Sequence, residues 1–137
     1  MDPRIVSFLN LHRTAVLSVT LVDGSLHAAT CHYAHADEPF TIFIVTEAST
    51  RKVSSIREGQ VIKAAITIGF SEEEWIELQM SGSAKMVKEG IEFDKGKLTF
   101  EEKLGGELKP GRVIVVFTPD WWRYSEFRRN PPVILEG

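Results

Sequence analysis

The sequence predicts a mainly β domain closed as an antiparallel barrel, and three observations carry that prediction. Short segments of alternating apolar and polar residues recur along the chain, an Asp23-Gly24 turn joins the first two, and no regular strand–helix alternation follows. Six or seven strands in mostly hairpin order, with two short helices, suit a closed antiparallel barrel better than a doubly wound sheet. A chain of 137 residues, 43% of them hydrophobic, can bury one continuous core, so residues 1–137 are read as a single domain.

Asp2 before Pro3 starts a helix, with a side chain to cap free amides and a proline whose missing N–H is not needed there. Ile5, Phe8 and Leu9 then share a face that covers an open end of the core. Thr14 to Leu21 alternates as a strand, and Leu26 to Tyr33 returns antiparallel. Phe40 to Thr46 is apolar almost throughout, which predicts a central strand covered on both faces. Ser49 to Lys52 opens a short helical pattern in which Val53 and Ile56 share a face, and Gly59 suits a left-handed cap. Strands follow over Val61 to Phe70 and Trp75 to Lys88, the second carrying Gly82 at a bulge or close backbone approach. Residues 89–111 are polar and interrupted by glycine, with one short helix expected over Phe100 to Leu108. Arg112 to Thr118 and Trp122 to Phe127 are the last expected strands, separated by Pro119-Asp120, and Pro131-Pro132 ends regular structure.

Charge and composition narrow the function. A net charge of −3 argues against a phosphate-backbone grip, so nucleic acid is not an expected partner. Nothing approaches the roughly 18 apolar residues of a membrane span. One cysteine and an N-terminus without a basic region and apolar run make the cytoplasm the expected location. Cys31, His32, His35 and Asp37 are competent metal ligands, but alternation puts Cys31 and His32 on opposite faces, and no metal site is expected. Cys31 reads as a small buried hydrophobe and Glu72-Glu73-Glu74 as a hydrated turn.

The most informative segment runs from Phe43 to Lys52, where a buried strand delivers Thr46, Ser49, Thr50, Arg51 and Lys52 to a helix start. Free amides, hydroxyls and a guanidinium that can chelate two oxygens suit a phosphate. The same residues suit an ordinary solvated helix cap, and spacing alone leaves both open.

Here the chain resembles the split-barrel flavin-binding proteins related to pyridoxamine 5′-phosphate oxidase, over most of Thr14 to Val87. The resemblance rests on Thr46, Thr50, Arg51 and Lys52, with Val45 beside them, and on Glu77, Gly82 and Ala84 of the long strand. It implies a split β-barrel homodimer holding flavin mononucleotide (FMN) at the subunit interface and exchanging hydride or electrons with a small-molecule donor or acceptor. Thr46, Thr50, Arg51 and Lys52 would then grip the phosphate, and Ala29, Thr30 and Cys31 would border the ring. Glu77 stands where the family commonly has Gln, and Gln79 on the same strand face is its alternative for the pyrimidine edge. Trp122 lies near where one subunit offers an aromatic to the flavin of the other, although adjacent tryptophans also serve as core or interface residues. Leu26 and Cys31 replace the Arg and Lys with which the oxidase holds its substrate, and its C-terminal Arg-Leu-Pro pattern is absent. The resemblance therefore implies the fold and the flavin more than vitamin B6 oxidation, and is nearest to short stress-type members. Alternatives within the fold are a non-catalytic flavin store, sensor or carrier, a deazaflavin or haem protein, and a barrel without cofactor.

Overall fold

The computed structural model describes residues 1–54, 56 and 59–137, with the side chains of Lys52 and Ser54 set aside. Among these residues the elements are α1 (Pro3–Leu11), β1 (Thr14–Thr20), β2 (Leu26–Ala36), β3 (Thr41–Glu47), α2 (Arg51–Ser54), β4 (Ile62–Ile68), β5 (Ile76–Val87), α3 (Ile91–Leu104), β6 (Arg112–Glu126) and β7 (Val133–Glu136). The strands form one antiparallel sheet in the order β3-β2-β1-β4-β5-β6-β7, and a further β3–β6 pairing closes six of them into a barrel with β7 outside the ring.

Alternation builds the core directly. Ala15, Leu17 and Val19 of β1 face inward, as do Ile66 and Ile68 of β4, Leu78 and Met80 of β5, and Val115 and Phe117 of β6. Each large side chain so buried contributes about 1.5–3 kcal/mol. Helix α1 plugs one end with Ile5, Phe8 and Leu9, and Asp2 caps it by accepting a hydrogen bond from Arg4 N at 2.8 Å. Val53 and Ile56 join the same core from the α2 region.

The third strand is covered on both faces, as its composition predicts. Ile42 and Ile44 point into the barrel, while Phe43 packs outside it with Ile114 and Val116 beneath α3. That helix corrects the expectation for residues 89–111, where only Phe100 to Leu108 was read as helical. It runs through Gly96, whose missing side chain lets it approach closely: a Cβ there would lie 2.9 Å from Phe43 Cδ1. Lys103 ties its last turn to α1, donating to Leu9 O at 2.8 Å with its ammonium 3.7 Å above the Tyr33 ring, and the Tyr33 hydroxyl donates to the same carbonyl.

Two further expectations are corrected. Arg112 to Thr118 and Trp122 to Phe127 belong to one strand, β6, in which Asp120 is an extra, unpaired residue between Pro119 and Trp121, and a proline is tolerated at such a bulge. The register slips between Ser81 and Gly82, and a Cβ on Gly82 would lie 2.1 Å from Thr118 O. Regular structure also continues past Pro131-Pro132, since β7 pairs with the end of β6. No described helix is long and apolar enough to cross a membrane.

Candidate functional site

The β3–α2 junction holds the residues expected to meet a phosphate. Thr46 is the last inward residue of β3 and is buried, and its hydroxyl lies 3.3 Å from that of Thr50. Thr50 turns the chain, since its hydroxyl and its N–H both reach Glu47 O, at 3.0 and 3.2 Å. Arg51 follows, exposed, on the side of the β1–β2 turn. In that turn the Asp23 carboxyl is held below its ordinary range, chiefly by the Ser25 hydroxyl and N–H, with a smaller contribution from the Arg51 charge. The side chain of Lys52 lies outside the described residues.

Val45, one residue before Thr46, points the other way. It lines a cavity of about 270 Å³ with His32, Phe100, Leu108, Lys109 and Arg112, and Arg112 is paired with Glu47 at 3.2 Å. Arg112 was not among the residues singled out from sequence; a basic residue opening a strand beside Gly111 gives no motif.

A second set of candidates lies on the outer face of the sheet. Cross-strand register aligns Thr30, Val16, Thr67, Gln79 and Arg123 in one row, and Ala28, Ser18, Ala65, Ser81 and Trp121 in the next. Small side chains dominate the second row, which leaves that part of the face flat apart from a groove of about 460 Å³ over Ser18, Leu26, Ala28, Lys63 and Ala65. Glu77 and Gln79 share this face, the Gln79 amide donating to Glu77 Oε1 at 2.6 Å, so the two alternatives form one hydrogen-bonded unit.

Around these sets the individual placements differ. Thr30 faces outward and is exposed, whereas Ala29 and Cys31 turn toward the core, and Cys31 Sγ lies 3.5 Å from Ala15 O. Only their backbone borders the outer face. Trp122 turns inward opposite Met80, packs against the core, and exchanges two 3.0 Å backbone hydrogen bonds with Gly137. Its neighbour Trp121 is the tryptophan opposite Ser81 on the outer face, 38% exposed, and counting the alternation back from the buried Tyr124 would have identified it. The sequence's metal candidates are dispersed, with His32 exposed and His35 bonded to Asp37 at 2.9 Å. Burial outweighs that carboxylate and holds His35 below the ordinary imidazole range.

Three inter-strand steps separate Thr30 from Gln79 in their row, about 14 Å along the sheet at ~4.8 Å per step.

No family model matches the sequence, and no curated protein matches it. Solved structures do match. A pyridoxamine 5′-phosphate oxidase-related, FMN-binding protein from Nostoc punctiforme superposes with a TM-score of 0.70 at 15% identity, covering 99% of this chain and 90% of that one. General stress protein 26 from Bacillus anthracis gives 0.67 at 19% identity, over 98% and 96%. The haem storage protein HutZ from Vibrio cholerae gives 0.71 at 14% identity, over 87% and 89%. With its six-stranded closed ring and extra strand, the chain has the split-barrel fold of the pyridoxamine 5′-phosphate oxidase-related proteins.

Proposed function

We propose that the chain binds flavin mononucleotide in a cleft completed by a second copy of itself, and passes hydride or electrons between the flavin and a small-molecule donor or acceptor. The observation that carries this reading is the Thr46–Thr50 hydroxyl pair, 3.3 Å apart and followed at once by the exposed Arg51. Hydroxyl and guanidinium donors are what a phosphate monoester requires. The fold is shared with a protein described as FMN-binding, which supports the cofactor.

The flat outer face supports the second copy. Glu77 and Gln79 lie too far along the sheet from Thr30 for one ring edge to meet both within a protomer. Two copies packed on this face would bring the hydroxyl and guanidinium donors of one toward the Glu77–Gln79 pair of the other. A bound flavin supplies the two-electron chemistry, while the protein binds it, orients it and sets the charge at its edge. Glu77 accepts and Gln79 both donates and accepts, which matches the donors and acceptors of a pyrimidine edge.

A second reading is haem binding, favoured by the similarity to HutZ and by His32, an exposed imidazole on the outer face. One experiment separates them. Purified protein is incubated with FMN or with haemin, desalted, and its absorbance spectrum recorded, in parallel with the R51A/K52A variant. Flavin retention that weakens at least about tenfold in the variant, with the stability of the cofactor-free protein moved by no more than about 0.5 kcal/mol, is the expected result. Equal retention removes the phosphate assignment, and a Soret band without flavin retention selects haem.

A further inference from the structure

Trp75 is the one non-glycine residue with a positive φ, 46°, among the described residues. A bulky residue in that region is held at a cost of about 1–3 kcal/mol and persists only where its surroundings over-determine it. Here they do: Trp75 N donates to Ser71 O at 2.8 Å, and its carbonyl accepts from Phe127 N at 3.1 Å. Burial does not offset the strain, because the side chain is 52% exposed. The ring meets Phe127 edge-on at 5.6 Å and stands, with the 55% exposed Phe70, over a pocket of about 390 Å³. Gly69, Ser71, Glu72, Ile76, Glu77 and Arg128 complete the lining, with Arg128 its one cation against two acidic residues.

Arg128 supplies the polar end of that pocket. Its Nε and Nη2 both donate to Glu72 O, at 3.1 and 2.9 Å, and its guanidinium carbon lies 5.6 Å from the centre of the Trp75 ring. Those bonds fix the guanidinium while leaving its charge unneutralised, since the acceptor is a neutral carbonyl and no carboxylate pairs with Arg128 among the described residues. The Glu77 carboxylate keeps its charge, accepting from the neutral Gln79 amide, and does not pair with Arg128. An aromatic wall with a pre-positioned, unpaired guanidinium selects a flat ring carrying an anion.

We propose that this pocket binds a planar aromatic carboxylate, its ring against Trp75 and Phe70 and its carboxylate on Arg128. Glu77 lines the pocket and also belongs to the proposed flavin edge, so the bound acid lies beside that edge. That adjacency rests on the flavin reading; the binding does not.

The test uses the full chain labelled with nitrogen-15. Benzoate and benzamide are titrated while the indole N–H resonance of Trp75, assigned by its loss in W75F, is followed. Benzoate binds at least about tenfold more tightly than benzamide in the wild type, and R128Q brings the ratio to about one. W75G relieves the strained backbone, keeps the fold and weakens both ligands by about tenfold or more. Equal affinity for the two ligands in the wild type, or an unchanged preference in R128Q, overturns the proposal. Flavin absorbance read on the same samples separates the two ideas: benzoate preference without flavin retention keeps the pocket and removes the flavin reading, and flavin retention without the preference does the reverse.

Discussion

Lys103 is the side chain whose environment departs furthest from its solution chemistry in a measurable range. Half-burial against Leu9 O and the Tyr33 ring lowers its pKa from 10.5 to about 8, mainly by desolvation, with the Arg13 charge adding to it. The unfolded chain therefore binds the proton more tightly, and between pH 8 and 10.5 it carries more protons than the folded one. Stability rises with pH across that window and is lost again as pH falls back through it. Urea midpoints measured from pH 7.5 to 10.5 should climb in the wild type and stay flatter in K103M; parallel curves would refute the assignment. Of the candidate site residues, the Thr46–Thr50–Arg51 run and the Glu77–Gln79 pair were legible because they sit on unbroken local patterns. The outward tryptophan was misread as Trp122, although alternation is unbroken from Tyr124 back to Trp121 and puts Trp121 on the outer face; adjacent indoles look alike until that count is anchored on a residue known to be buried.

At the scale of elements, the Gly82 bulge lets one long strand pass a proline. Adding a methyl group there places it 2.1 Å from Thr118 O and 2.8 Å from Pro119 Cα, both backbone atoms that cannot rotate away. G82A should lower stability by about 3 kcal/mol, the upper end of ordinary overpacking, read as a drop in the denaturant midpoint. An effect below about 0.5 kcal/mol would mean that the two strands separate there without strain. The same contact explains what the sequence hid. Pro119-Asp120 has the composition of a turn, and only the partner strand reveals that pairing continues on both sides of it. Helix α3 was obscured for a related reason, because Gly96 is a breaker by propensity and a contact residue by packing. Strand β7 has four residues, Val133–Glu136, too few for alternation to register after two prolines. Of the legible strands, β1, β2, β4 and β5 have a long period-two pattern and turns that carry Asp-Gly or an acidic run, whereas β3 was legible from its unbroken apolar run.

For the molecule as a whole, the flat outer face is the surface on which the proposed pairing of two copies depends. Ala65 lies near its centre, between Ser18 and Ser81 in register. A65E leaves the inward core untouched and brings two carboxylates together wherever two copies meet on this face. It should halve the sedimenting mass and abolish flavin retention together, while leaving the far-ultraviolet circular dichroism unchanged. A wild-type protein that sediments as a monomer and still retains flavin would break the link between assembly and site. Closure of the ring has its own consequence, in time rather than in space. The pairing that seals the barrel joins β3 to β6, Ile42 opposite Phe117, with α2, β4, β5 and α3 intervening along the chain. Until β6 arrives, the two apolar strands present open edges, and the contact that rewards them spans a long stretch of chain. Folding should therefore be slow for a protein of this size, and its window of aggregation should close only when the last strand of the ring docks.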